Sequence, residues 1–128
     1  MPDMPTYDTT QFDPPAPVAR VSFVNPANDM IVEGVSMLLD TGADVSIVPE
    51  PVLQALHAEK LAASYQIEYL EGAAPDTLAA THLQMQWLGL KFTGSFLVTA
   101  ASYGVVGRNI LNRVVLVLDG PAQRWDIR

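Results

Sequence analysis

Leu38-Leu39-Asp40-Thr41-Gly42-Ala43-Asp44-Val45-Ser46-Ile47-Val48-Pro49 joins two apolar runs through a short acidic turn. An apolar strand that ends in Asp-Thr-Gly aims a carboxylate out of a hydrophobic wall, where its surroundings can set its protonation for chemistry. Such a triplet is common on its own. A second block, Val105-Val106-Gly107-Arg108-Asn109-Ile110-Leu111, follows some sixty residues later. It reads as a short apolar strand running through a glycine into a helix that opens on a cation, and the two blocks together are far more specific than either.

Around these blocks the pattern is β-rich. Val18 to Val24 and Met30 to Leu39 are strand-like, with the turn residues Asn25-Pro26-Ala27-Asn28-Asp29 between them, so a hairpin is expected to lead into Asp40. Pro49 to His57 suits one or two helical turns, since proline is tolerated in a first turn. Tyr65 to Leu70 and Thr77 to Trp87 read as paired strands around a turn at Glu71 to Asp76. Leu88-Gly89-Leu90 is a tight connection into a strand from Lys91 to Val98. A short helix is expected from Gly107 to Arg113, then strands at Val114 to Leu118 and Arg124 to Ile127 about a turn at Asp119-Gly120-Pro121. Many short strands with two short helices indicate an all-β domain of the closed-barrel type.

The 128 residues suffice for one domain with a real core, and 49% hydrophobic against 16% charged residues fits a well-buried globular chain. Residues 1–17, with Pro2, Pro5, Pro14, Pro15 and Pro17, lack apolar periodicity and read as a flexible N-terminal arm, so the domain is taken as 18–128. A net charge of −7, with seven scattered Lys and Arg, argues against nucleic acid as a partner. No basic and apolar leader is visible, and no run approaches the roughly 18 apolar residues of a membrane helix, so a cytoplasmic location without membrane contact is expected. The absence of cysteine excludes disulfides, thiolate metal sites and a Cys nucleophile.

The two blocks resemble those of the retropepsins, the single-domain aspartic proteases of retroviruses and their cellular and bacterial relatives, over roughly residues 18–118. The resemblance implies a retropepsin-like closed β-barrel with a flap hairpin, and it implies an aspartic endopeptidase. Asp40, Thr41 and Gly42 would form the catalytic motif, with Thr41 bonding across a dimer axis. Asp44 and Arg108 would form a partly buried bidentate pair, with Gly107 beside the catalytic loop. Ala43, Ile47, Tyr103 and Val105 would contact substrate, together with Leu70 and Gly72 from a flap at Tyr69 to Ala74. That segment carries one glycine where viral flaps carry several, and the tail beyond Arg113 is longer than the viral pattern, closer to cellular and bacterial members.

The chemistry requires two carboxylates. One takes a proton from water while the other gives a proton to the amide carbonyl, and two carboxyls about 3 Å apart share one proton because they cannot both ionise easily. With one motif per chain, the second carboxylate is expected from Asp40 of a symmetry-related subunit in a homodimer. A peptide or protein substrate is expected, with no metal or cofactor. Two alternatives stay open: a dimer that binds peptides without cutting them, and a protease confined to processing its own chain. His57 and His82 have no spacing to other ligands, and Ser46 lacks a histidine to activate it. Trp87 and Trp125 read as core or interface anchors. Asp119 and Asp126 read as turn and edge-strand acids, and Glu68 and Glu71 as a solvated face near the flap.

Overall fold

The computed structural model of the protein describes residues 5–67 and 76–128. In chain order the elements are β1 (Tyr7–Asp8), β2 (Ala16–Val24), β3 (Ile31–Leu39), β4 (Ile47–Pro49), α1 (Glu50–Leu56), β5 (Leu61–Ile67), β6 (Asp76–Trp87), β7 (Leu90–Thr99), β8 (Gly104–Val106), α2 (Arg108–Leu111), β9 (Leu116–Asp119) and β10 (Arg124–Ile127). The main sheet runs β1-β2-β3-β8-β4-β7-β6-β5, and a further pairing of β2 with β6 closes β2-β3-β8-β4-β7-β6 into a barrel. Closure removes the open edges that those strands would otherwise present.

Period-two alternation builds the barrel. Along β2, Ala19, Val21 and Phe23 are buried while Arg20 faces out; along β3, Val35, Met37 and Leu39 are buried and the residues between them are not. Val18 opposes Leu38 and Ala19 opposes Met37 in this hairpin, with a register shift between Val21 and Phe23. The long β6 joins the two halves: it pairs with β7 from Ala80–Leu97 to Trp87–Leu90, and with β2 at Phe23–Met85. Phe23 and Phe96 meet edge to face in the interior, their centroids 5.2 Å apart. β5 begins at Leu61, earlier than its strand-like pattern suggests, with a register shift in its pairing to β6 between Leu61 and Tyr65.

The hairpin turn is tied to α1. Asn25, 5% exposed, accepts the Ala27 N–H at its Oδ1 (3.0 Å) and donates from Nδ2 to the Leu56 carbonyl (3.0 Å), while α1 packs Val52, Leu53 and Leu56 into the core. Because this polar side chain is buried and fully used, Asn25→Ala is expected to cost about 1–3 kcal/mol, the usual range for breaking buried hydrogen bonds. Denaturant unfolding checks this: the loss should exceed that of the exposed Asn28→Ala, and equal midpoints for the two variants would contradict it.

The proline-rich N-terminus is not free. From Pro5 onward it is built into the domain, which corrects the expectation of a flexible arm over the described part of residues 1–17. β1 pairs with β2 at Tyr7–Pro17 and Asp8–Ala16, and residues 5–7 run beside β10 through a Thr6–Arg124 bridge, Trp125 N–H to Pro5 carbonyl (3.0 Å) and Tyr7 N–H to Gln123 carbonyl (2.9 Å). The Asp8 carboxylate accepts the Gln11 and Thr10 N–H groups and the Thr10 hydroxyl, which hold it below the ordinary carboxylate range. Prolines removed donors from this segment, but the Asp8 turn and the backbone contacts of residues 5–7 supplied other anchors.

β9 and β10 form a separate two-stranded sheet. Trp125 staples it to the barrel: the ring is buried, lies 5.7 Å from the buried Trp87 ring, and donates its indole N–H to the Val18 carbonyl (3.2 Å). β9 starts at Leu116 because the chain after α2 keeps turning, with Arg113 N–H on Ile110 and Val114 N–H on Leu111. Among the described residues no helix is long and apolar enough to cross a membrane.

Candidate active site

β3 ends where Asp40 begins. The Asp40 N–H continues the ladder onto the Val106 carbonyl of β8 (3.1 Å), and the chain then turns at once, with the Ala43 N–H on the Asp40 carbonyl (3.2 Å). Inside this turn the Gly42 N–H donates to Asp40 Oδ1 (2.8 Å), so one carboxylate oxygen is oriented by backbone. A Cβ at position 42 would lie 3.1 Å from that same oxygen, so a side chain there would press on the carboxylate. Asp40 is half-buried, whereas Thr41, Gly42 and Asp44 are exposed.

The second block locks onto this turn from the other side. The Arg108 N–H donates to the Ala43 carbonyl (2.9 Å) and the Asn109 N–H to Asp44 (3.2 Å). The Arg108 guanidinium divides its donors, Nη2 to Asp44 Oδ1 and Nη1 to the Thr41 carbonyl, both at 2.7 Å. It is therefore not a two-pronged grip on one carboxylate. The side chains are 44% and 79% exposed for Arg108 and Asp44, so this pair is a surface contact of the single subunit, where an ion pair contributes little by itself. Its geometric effect is larger, since one cation bridges the Thr41 carbonyl and the Asp44 carboxylate on the two sides of Gly42.

Gly107 must be glycine for lack of space. A Cβ there would overlap the Val45 carbonyl oxygen, with its carbon at 2.6 Å and the Ala43 carbonyl oxygen at 3.0 Å. Gly104 is equally confined, against the Ile47 carbonyl and Met37 Sδ. The Asp40 turn and the β8–α2 junction thus touch backbone to backbone.

Ser46 and Asn109 join the same site, and the sequence pattern assigned neither of them to it. The fully buried Ser46 hydroxyl accepts the Gly107 N–H (3.0 Å) and donates to Asn109 Oδ1 (2.8 Å). Asn109 stood in the second block directly after Arg108, so adjacency was an available signal; for Ser46 there was none, because its partner is 61 residues away in the chain. Ser46→Ala orphans a buried backbone donor and is expected to destabilise by about 1–3 kcal/mol. Asn109→Ala, at an exposed position, should cost less in the same unfolding measurement, and the reverse order would contradict this role.

The residues expected to contact substrate fall into two groups. Ala43, Ile47, Tyr103 and Val105 are all half-buried around the turn, with Ile47 opposite Val105 across β4 and β8. Leu70, Gly72, the rest of the flap segment Tyr69 to Ala74, and Glu68 lie outside the described residues. His57 is exposed in a left-handed conformation capping α1 (φ 49°), and His82 is exposed on β6. Among the described residues no three metal-ligating side chains converge.

A closed barrel that presents Asp-Thr-Gly from a strand end, locked by a Gly-Arg-Asn segment, is the architecture of a retroviral-type aspartic protease. The chain belongs to that family: the retroviral aspartyl protease family model matches residues 17–119. Among solved structures it is similar to EIAV protease complexed with the inhibitor HBY-793, at 24% identity and a TM-score of 0.54, covering 84% of this chain and 92% of that one. It is also similar to a foamy viral protease-reverse transcriptase in complex with an RNA/DNA hybrid, at 17% identity and a TM-score of 0.52, covering 75% of this chain and 12% of that one. These likenesses establish the fold. No curated protein matches the chain significantly.

Proposed function

We propose that the protein is an aspartic endopeptidase that works as a homodimer, with Asp40 of each subunit forming the catalytic dyad. The observation that carries this reading is the half-buried Asp40 carboxylate directly after β3, held through one oxygen by the Gly42 N–H and preceded by the apolar Leu38 and Leu39. One such carboxylate cannot act as both acid and base, and the exposed Thr41-Gly42 turn offers a surface on which two copies can meet about a two-fold axis.

In the dimer, the ionised carboxyl removes a proton from a water molecule held between the two groups. The water oxygen bonds to the scissile carbonyl carbon, and the protonated partner gives its proton to the carbonyl oxygen, forming a tetrahedral gem-diol. Collapse of that intermediate breaks the C–N bond, with one proton passing to the leaving amine and the dyad returning to its singly protonated state. Because one proton is retained, activity is expected on the acidic side of neutral. Substrate lies extended across the turn, pairing its backbone as a strand would. Ile47, Val105 and Tyr103 favour apolar side chains, with Ala43, Leu70 and Gly72 completing the contacts and Asp44, Arg108 and Gly107 supporting the turn.

The test is cleavage of a mixed peptide library between pH 4 and 7 at graded protein concentrations, alongside sedimentation. Specific activity should rise with concentration in step with the dimer. Absence of cleavage by a protein that sediments as a dimer would favour a binding module, and a single cut within residues 1–17 as the only product would favour self-processing.

A further inference from the structure

The N-terminal segment meets the catalytic face, and its contact there is one that neither block of the motif contains. On β3, β4 and β8 the residues Met37, Leu39, Val48 and Val106 are buried in the core, so the half-buried Leu38, Ile47 and Val105 lie on the other side of the sheet. The registers Leu38–Val105 and Ile47–Val105 set these three side by side. Asp40 follows Leu38 by two residues and still donates a ladder hydrogen bond to the Val106 carbonyl, so alternation keeps its carboxylate on this apolar face, while the half-buried Tyr103 lies in the bend that leads into β8, before the Met37–Gly104 pair.

Phe12 sits against Tyr103, ring centroids 4.8 Å apart and 65° inclined, and Gln11 Nε2 reaches Ser102 Oγ at 3.4 Å. To make these contacts the loop between β1 and β2 must cross β3, which lies between β2 and β8. It leaves β2 at Ala16, two residues before the Val18–Leu38 pair, and so at the Asp40 end of the strands. The loop is fixed by strand pairing at both ends and by the Asp8 turn. Residues 9–14 bend and form no strand, so the loop does not imitate an extended peptide lying in the cleft.

We infer that Phe12 is a specificity-determining residue: with Tyr103 it forms the aromatic wall of a substrate side-chain pocket at the margin of the Leu38, Ile47 and Val105 face, a pocket that prefers an aromatic side chain to an aliphatic one. This rests on the protease reading of Asp40. Edge-to-face aromatic contacts contribute about 0.5–1.5 kcal/mol beyond area burial, a discrimination of about 2- to 12-fold.

The experiment uses the full chain and two variants, Phe12→Leu, which keeps apolar bulk without the ring, and Phe12→Tyr, which keeps the ring. Each is given peptides that differ only in Phe or Leu at the residue filling this pocket, and kcat/KM is compared. The same peptides, fluorescently labelled, are titrated by polarisation onto these proteins carrying Asp40→Asn, so that binding is read without cleavage. The Phe-to-Leu preference should fall about 2- to 12-fold in Phe12→Leu and persist in Phe12→Tyr. An unchanged preference in Phe12→Leu overturns the inference while leaving the protease reading intact, and so does a uniform gain for every peptide, which would make the loop a plug. A shifted binding preference without cleavage supports Phe12 and overturns the protease reading. Neither binding nor cleavage by the dimer overturns both.

Discussion

Asp40→Asn is expected to reduce peptide hydrolysis by at least about 10³-fold, because general acid–base catalysis contributes about 10²–10⁴ and the substitution would remove both partners of the proposed dyad at once. Asparagine has the shape of the aspartate but neither accepts the proton from water nor returns one to the carbonyl. Its amide oxygen can still accept the Gly42 N–H, the 2.8 Å bond that orients the group, so the turn should hold. The variant should therefore keep the parent's denaturation midpoint and sedimentation behaviour. Turnover within tenfold of the parent, from a folded and pure variant, would remove Asp40 from the chemistry.

Gly107→Ala should damage both stability and activity through space alone. Its φ of −92° is open to any residue, so no backbone strain is involved. The added methyl would instead strike Val45 and Ala43 main-chain atoms, which cannot rotate away as a side chain could. Overpacking of this kind costs about 1–3 kcal/mol and sometimes more. The segment forced to move is the one whose Ala43 carbonyl receives the Arg108 N–H and whose amide closes the turn on Asp40. A displacement near 1 Å in a catalytic group can cost about 10²-fold in rate, so the fraction that folds should also be impaired. Gly120→Ala is the control, since nothing lies within 4 Å of a Cβ at that position. Equal unfolding midpoints for the two variants would show that the turn and the β8–α2 junction are not in rigid contact.

How far the sequence reveals this depends on whether partners are close in the chain or carry a motif. The Asp40 turn, the β2–β3 hairpin, α1 and the β10 strand are each encoded in a few adjacent residues, and their spans follow from periodicity and turn chemistry. Asp44 and Arg108 were singled out by motif, yet their exposure was not foreseeable, because burial depends on surfaces that no local pattern describes. Ser46 escaped because a serine in an apolar strand looks the same whether or not a buried amide needs it. The N-terminus misled for a different reason: prolines signal a lack of ladder donors, while its anchors, Phe12 on Tyr103 and residues 5–7 on β10, depend on chain more than ninety positions away.

The central claim is that one active site uses an Asp40 from each of two subunits, and subunit mixing tests it most directly. Active protein and Asp40→Asn protein would be mixed in varying ratio at fixed total concentration, left to exchange, and assayed on one peptide. If both carboxyls are required, every mixed dimer is inert and the rate falls as the square of the active fraction, to a quarter at equal mixing. A rate that falls in direct proportion to the active fraction would show that each subunit cuts alone, and would contradict the account.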